Sequence, residues 1–445
     1  RGSGVKHSQK VAVIGGGLAG CEAAWQLAVQ EIPVTIFEMK PQKYSPAHTN
    51  PDLAELVCSN SLRSDEVTSA VGLLKEEMRT LDSLIMHAAL HSRVPAGKAL
   101  AVDRSEFAAL ITRRLCESSQ VDIERREIGS LHDDRLTGFS HVILAAGPLA
   151  SDSITKSLID RIGGQDLYFY DAIAPIVNAD SINWDRVFWG SRYDPESFDY
   201  LNCPLNEEEY HILRQALLNG RRVQTKSFES EVHFEGCLPV ETLAERGEMT
   251  LAFGPLKPVG LKDPKTGEQP FAVVQLRAEN RAKTMFNLVG FQTKLTYTEQ
   301  PRVLRLIPGL EEARFERLGS IHRNTFVNAP LVLDPYLELK SAPGISLAGQ
   351  ITGVEGYVES AACGLWLGLR LSRELKGFEA GLPPPETALG GLLSHLRVPQ
   401  KRFQPMNVNF GLLPPLQVRA KKSKRKELYV QRAREALQRW LTEDR

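Results

Sequence analysis

Apolar positions in this chain fall into two rhythms, and the first begins just after residue 10. Val11–Ile14 is a short, continuous apolar run rich in β-branched residues, the pattern of a strand buried on both faces of a parallel sheet. Small and apolar residues then recur at helical spacing from about Ala19 to Gln30, and a second apolar run, Val34–Phe37, ends at Glu38. The strand pattern returns at Ser140–Gly147 (SHVILAAG) and at Gly344–Gly356 (GISLAGQITGVEG). In the latter, a strand over Ile345–Ala348 leads through glycines into a helix predicted over Val358–Leu375. Strand–helix–strand units of this kind predict an α/β fold with a parallel, Rossmann-like sheet. That domain is predicted to be discontinuous, because its last strand follows the first by some 330 residues.

The second rhythm occupies Ala179–Arg323. Short β-like runs (Val223–Phe228, Val232–Phe234, Met249–Phe253, Phe271–Leu276) alternate with turns such as Asp263-Pro264-Lys265-Thr266-Gly267. This texture predicts an inserted mixed α/β substrate domain. The expected organisation is residues 10–178 and 324–395 for the two parts of the nucleotide domain, 179–323 for the insert and 396–445 for a C-terminal segment. Gly381–Pro385 (GLPPP) is a stiff connector. Beyond it, Lys421–Arg445 predicts an amphipathic helix with Ala433, Leu437, Trp440 and Leu441 on one face.

Composition adds three points. The formal net charge is zero, yet residues 396–445 carry thirteen Lys/Arg against four Asp/Glu, a net of +9 on a body of −9. Such a tail, the basic C-terminal helical segment, suits either a polyanionic partner or a solvated surface helix. Six cysteines (Cys21, Cys58, Cys116, Cys203, Cys237, Cys363) lack C-x-x-C spacing, which argues against structural zinc and a disulfide framework and fits a reducing compartment. No run of eighteen apolar residues occurs, and Arg1–Gln9 reads as a leader outside the fold; the expectation is a soluble, cytoplasmic protein.

The candidate chemistry begins with Gly15-Gly16-Gly17-Leu18-Ala19-Gly20, which supplies G-x-G-x-x-G between strand and helix. The first glycine permits the tight turn, the second lets backbone approach a pyrophosphate, and the third lets the helix pack on the strand. Glu38, eighteen residues beyond Gly20, can accept hydrogen bonds from ribose hydroxyls. Gly147, and then Gly349, Gln350 and Gly353, bring backbone close to the same ligand. No second G-x-G-x-x-G follows a strand, so one resident dinucleotide is expected, FAD, with any nicotinamide a transient visitor. Two further segments are too polar or too turn-like for core: Ala54–Asp65 (AELVCSNSLRSD) around Cys58, and His233–Glu241 (HFEGCLPVE) around Cys237. Hydroxyls, amides and Arg63 near Cys58 are the setting of a reactive thiol, although a buried inert thiol is as common in such places. Cys21, Cys116, Cys203 and Cys363 are expected to be buried and inert.

These segments carry a specific resemblance. GGGLAGCEAAW, PAHTNPDLAELVCSNSLRSD, AVGLLKEEM, RVPAGKALAVDR, DYLNCPLNEEEY, GCLPVE, FGPLKPVGL, PFAVVQLR, GFQT, IHRNTFVNAP, GVEGYVESAACG and FQPMNVNFGLLPP cover the chain from Val11 to about Pro415. Together they resemble the folate- and FAD-dependent tRNA (uracil-5-)-methyltransferases, the TrmFO family. Departures are few: the family more often has alanine for Gly16, glycine for Lys98 and tyrosine for Phe326, and the extra charge of Lys98 bears on cofactor preference. The resemblance implies transfer of a one-carbon unit from 5,10-methylenetetrahydrofolate to C5 of the T-loop uridine (position 54) of tRNA. Reduced FAD supplies electrons, and NADH or NADPH restores it. It further implies that Cys58 and Cys237 are the catalytic thiols. Uracil C5 becomes nucleophilic once a thiolate adds at C6, and a second group must remove the C5 proton. Cys237 is assigned the first role and Cys58 the second, with the reverse open. Glu355, Gly356 and Tyr357 are expected beside the isoalloxazine, and His322, Arg323 and Asn324 near folate or flavin. Arg63 and Arg104 are expected on a phosphate or the folate glutamyl carboxylate. Rival readings are the longer sister enzyme of the wobble uridine and an NAD(P)H oxidase that kept the fold without RNA methylation.

Overall fold

Val11–Ile14, buried at every position, is the central strand of a five-stranded parallel sheet in the computed structural model. The structure describes residues 9–164, 167–194, 196–223, 238–401, 403–417 and 421–443. The sheet runs Ile345–Leu347, His141–Leu144, Val11–Ile14, Val34–Glu38, Val121–Arg125. Its late strand pairs in register Ile345↔Val142, so the first and last parts of the chain share one sheet. The helices Leu18–Ala28 and Tyr357–Leu375 seal this union by packing backbone on backbone. A Cβ at Gly364 would stand 2.1 Å from the Ala19 carbonyl oxygen, and one at Gly368 2.7 Å from that of Ala23.

A two-stranded antiparallel ribbon, Leu167–Ile173 with Ser320–Phe326, leads out to the insert and back. There a six-stranded antiparallel sheet runs Phe188–Gly190, Tyr200–Leu205, Ala272–Ala278, Met285–Leu288, Ile176–Asn178, Phe315–Arg317. The helix Glu207–Asn219, opened by an Asn206/Glu209 capping box, turns Tyr210, Leu213 and Leu217 onto it and builds a second apolar core. The run Phe271–Leu276 lies, from Ala272 on, in the strand Ala272–Ala278. Met249–Phe253 is not a strand: Thr250–Phe253 is one helical turn between Gly247 and Gly254, burying Leu251 and Ala252. Five residues of alternating apolarity fit a short helix as well as a strand. Val232–Phe234 and all but the first residue of Val223–Phe228 lie outside the described residues.

A small sheet (Arg93–Val94, Ala99–Val102, Ser61–Ser64) carries the segment after Cys58. The last helix, Lys422–Glu443, buries Val430, Ala433, Ala436 and Leu437, with Trp440 and Leu441 packed at the edge of the main core. Among the described residues no helix is long and apolar enough to cross a membrane.

Candidate active site

Three pieces of chain line a cleft of about 1120 Å³ continuous with solvent at the carboxyl end of the parallel sheet. Gly15, Gly16, Gly17, Leu18, Ala19 and Glu38 come from the first piece, Gly147 from the second, and Gly349, Gln350 and Tyr357 from the third. Glycine is required here for closeness. At Gly15, φ is +106°, and a Cβ would lie 2.4 Å from the Ala145 carbonyl oxygen, whereas beside Gly17 there is open space. Gly17 is the N-cap of the Leu18–Ala28 helix and provides no side-chain cap, so the first-turn N–H groups and the positive end of the helix remain for an anion. Glu38 accepts from the Gly16 N–H at 2.8 Å and the Lys40 N–H at 2.9 Å, which fixes the glycine turn while its carboxylate lines the cleft. An open cradle at a helix N-terminus, with an acid at the end of the second strand, fits the pyrophosphate and ribose of FAD.

Four other expected residues stand behind the cleft wall. Gly20 lets the helix approach the strand, since a Cβ would meet the Gly15 carbonyl oxygen at 2.0 Å. Gly353 faces the Phe403 ring, and Glu355 accepts from Gln350 Nε2 at 2.6 Å. Gly356, with φ +110°, starts the helix that presents Tyr357. The C-terminal motif closes over this turn: Asn407 Nδ2 donates to the Glu355 carbonyl at 2.6 Å, and the Val408 N–H to Glu359 at 2.9 Å.

Cys58 lies at the edge of the cleft, clamped from two sides. The Tyr357 hydroxyl accepts from the N–H groups of Cys58 (2.8 Å) and Ser59 (3.3 Å) and donates to Cys58 Sγ at 3.1 Å. Burial, and then the neighbouring thiol, push the Tyr357 pKa well above that of ordinary tyrosine, so the hydroxyl keeps its proton. From the insert, Arg277 donates to Asn60 Oδ1 (2.9 Å) and Ser59 Oγ (2.8 Å), and Asn60 Nδ2 donates back to the Ala278 carbonyl at 3.0 Å. Arg104 bonds the Leu56 carbonyl at 2.7 Å and the Glu279 carboxylate at 2.5 Å. Burial opposes its charge, but Glu279 outweighs that and raises its pKa. Arg317 joins the cluster, its pKa lowered by burial and by Arg104. The second expected thiol, Cys237, lies outside the described residues.

Known proteins similar to this chain point one way. A family model described as "Glucose inhibited division protein A" matches residues 10–379. The methylenetetrahydrofolate–tRNA-(uracil-5-)-methyltransferase TrmFO of Oleidesulfovibrio alaskensis is 62% identical over 429 residues, covering 96% of this chain and 96% of that protein. The chain belongs to the TrmFO family. The namesake enzyme of Geobacter sulfurreducens is 56% identical over 433 residues, 97% of this chain and 98% of its own. Among solved structures, Aquifex aeolicus GidA superposes with a TM-score of 0.68 at 15% identity, over 98% of this chain and 74% of that one. At that identity the likeness speaks for the shared fold.

In this member of the TrmFO family, several residues depart from their expected roles. Arg104 is not available to a substrate carboxylate, because Glu279 and two carbonyls already hold its guanidinium. Arg63 is similarly paired with Glu359. Lys98 is offset by Glu66 at 2.7 Å on the surface, so its charge does not reach the cleft. His322, by contrast, stands near the cleft: it bonds Ser320 Oγ at 2.8 Å, and its pKa is lowered by burial and then by Arg317 and by His48, which lines the cleft. Asn324 is buried, and the Arg323 side chain lies outside the described residues. Cys21 and Cys203 are buried with pKa values pushed up by desolvation, and Cys363 is raised to about 11. Cys116 departs from expectation: it ends a helix whose inward face is Phe107, Ile111 and Leu115, and is exposed. Arg277 and Glu279, which hold the thiol loop and Arg104, are residues that the sequence pattern did not single out. A signal exists nonetheless, since Gln275, Arg277 and Glu279 put polar groups on one face of an otherwise apolar strand.

Proposed function

We infer that this chain methylates C5 of uridine in tRNA, with 5,10-methylenetetrahydrofolate as carbon donor, FAD as resident cofactor and NADH or NADPH as reductant. The observation that carries the reading is Cys58 tied to Tyr357 at the mouth of a dinucleotide cleft, in a chain 62% identical to an enzyme of that name. Bound FAD supplies the electrons that turn a methylene into a methyl group.

The chain's own residues do the rest. Cys237 adds as thiolate to uracil C6, giving an enolate whose C5 attacks the one-carbon unit. Cys58, oriented by Tyr357 and the Arg277-held loop, then takes the C5 proton. Tetrahydrofolate leaves from the transferred carbon to give an exocyclic methylene, and a hydride, which bound FAD in its reduced form would supply, completes the methyl group as the Cys237 thiolate is eliminated. The guanidinium groups of Arg277 and Arg317 oppose the negative charge that develops on the base. Gly15, Gly16, Gly17, Leu18, Ala19, Gly20, Glu38, Gly147, Gly349, Gln350, Gly353, Glu355, Gly356 and Tyr357 hold or support the cofactor. The T-loop uridine at position 54 is the target, which makes the cytoplasm the working compartment.

Unmodified tRNA incubated with methylenetetrahydrofolate and NAD(P)H, then digested for nucleoside mass spectrometry, should yield 5-methyluridine. Cys237→Ala should abolish it while flavin stays bound and reducible. A 5-fluorouridine RNA should trap a covalent complex only when Cys237 is present; trapping that depends on Cys58 instead would invert the roles.

A further inference from the structure

Phe253–Leu261 (FGPLKPVGL) takes no part in the cleft or the thiol loop. Leu256 and Leu261 turn inward, and Leu261 joins Phe188 and Val273 in a small cluster of their own. The intervening and preceding residues turn outward: Phe253 is 79% exposed. The loop is stiff. Pro255 and Pro258 restrict its backbone, the Pro255 carbonyl accepts from Arg192 Nη2 at 2.8 Å, and a Cβ at Gly260 would stand 1.8 Å from the Arg192 carbonyl oxygen. Arg192 thereby fixes a second segment alongside, in which Tyr193 and Phe198 are 63% and 62% exposed. Lys257 Nζ lies 5.2 Å from the centre of the Tyr193 ring. Three large exposed rings, on two segments tied together by Arg192, mark a surface that something covers.

The segment that carries Tyr193 and Phe198 is linked to the thiol loop through a chain of contacts. The Asp199 carboxylate accepts from the Gly97 N–H, and the Tyr200 hydroxyl donates to the Ala96 carbonyl at 3.0 Å. Tyr200 lies opposite Arg277 in the insert sheet, and Arg277 holds Ser59 and Asn60 beside Cys58.

We propose that Tyr193, Phe198 and Phe253, with Lys257 among them, form a stacking platform for unpaired nucleobases of the RNA that presents the target uridine. The proposal rests on the reading of this chain as a tRNA methyltransferase. A target base inside a loop must be extruded to meet a thiolate at C6, and its displaced neighbours need π-faces to lie on. Aromatic rings meet that need whatever the base, and one ammonium suits a phosphate between two bases. Exposed Asp194 and Glu196 flank the rings, so the platform binds by stacking and not by net charge.

The test compares tRNA binding by the holoenzyme and by the triple variant Tyr193→Ala/Phe198→Ala/Phe253→Ala, using fluorescence anisotropy across several salt concentrations. Flavin absorbance and thermal midpoint verify folding. Affinity should fall about ten-fold or more with an unchanged salt slope, and the KM for tRNA should rise in parallel. Phe253→Trp should retain affinity and Phe253→Leu should lose it. Affinity within about two-fold of the parent, or leucine serving as well as tryptophan, overturns the platform. So does light scattering that finds a dimer of the parent and a monomer of the variant, because the patch would then be a self-association surface. If the parent itself neither binds nor methylates tRNA, the enzymatic reading fails first, and the platform with it.

Discussion

One hydroxyl, that of Tyr357, meets two backbone N–H groups and the sulfur of Cys58. Removing it leaves the loop's N–H groups without their acceptor in a partly buried site, a loss of ~1–3 kcal/mol. Tyr357→Phe should therefore slow methylation by roughly ten- to a hundred-fold while FAD stays bound. Single-turnover rates and the flavin spectrum would check this, and an unaltered rate would remove Tyr357 from any positioning role. At this scale the sequence is half legible. Cys58 stands out because polar neighbours crowd a short apolar run, and Tyr357 because it follows a glycine cluster. Their contact does not, since 299 positions separate them. Arg104 misleads for a related reason: its partner Glu279 comes from another domain-sized segment, and an arginine read alone always looks available.

Elements show how a buried carboxyl is used to join segments. Glu77 is buried, and its carboxylate accepts from the Ala388 and Leu389 N–H groups at 2.7 and 2.8 Å, capping the helix Ala388–His395 from another helix. Burial lifts its pKa to about 8 even against those two bonds. A raised folded-state pKa gives stability that is fully present below the unfolded value, near 4.5, and is lost as pH climbs through 8. Glu77→Gln should thus gain on the parent between pH 5 and 8, with a relative rise in thermal midpoint of roughly 2 °C or more. A midpoint difference that does not vary with pH would contradict it. The last helix presents the opposite case. Its inner face packs on the body and Arg434 reaches Glu76 at 2.6 Å, yet exposed Lys424, Arg425 and Lys426 crowd its N-terminal end. Cations there oppose the helix dipole, which suggests service to a polyanion. Reversing all three to glutamate should weaken tRNA binding and flatten the log–log salt dependence by about 0.7–0.9 for each phosphate no longer neutralised, without lowering the thermal midpoint. An unchanged slope would reject the helix as an RNA-binding element.

For the whole molecule, four of the five strands of the parallel sheet are legible as apolar runs, three of them followed by glycine turns, a pattern set by burial on both faces. The edge strand Val121–Arg125 (VDIER), which alternates exposed residues with buried or half-buried ones, does not stand out. The insert is less so. Its helix at Thr250–Phe253 is a single turn, below the length at which periodicity distinguishes helix from strand. What unites the two ends of the chain is the contact of the Leu18–Ala28 and Tyr357–Leu375 helices at Gly364 and Gly368. Gly364→Val would force these helices apart, and should cost both thermal stability and flavin retention, measured together by melting and by absorbance of the desalted protein. Melting and flavin content equal to the parent's would show that the interface tolerates the bulk.

That same union has a consequence in time. The strand Ile345–Leu347 and the helix behind it leave the ribosome long after Val11–Ile14, with some 330 residues between them. At roughly 5–20 residues per second, the early strands wait on the order of tens of seconds for the neighbour that completes their sheet. During that interval the His141–Leu144 strand has an open edge, which in the finished protein is covered by Ile345–Leu347. The insert, whose sheet strands all precede residue 318, is able to form its core before the cofactor cleft exists. Flavin can therefore bind only as a late event of biogenesis, and a nascent chain stalled before residue 345 should be the form that chaperones hold.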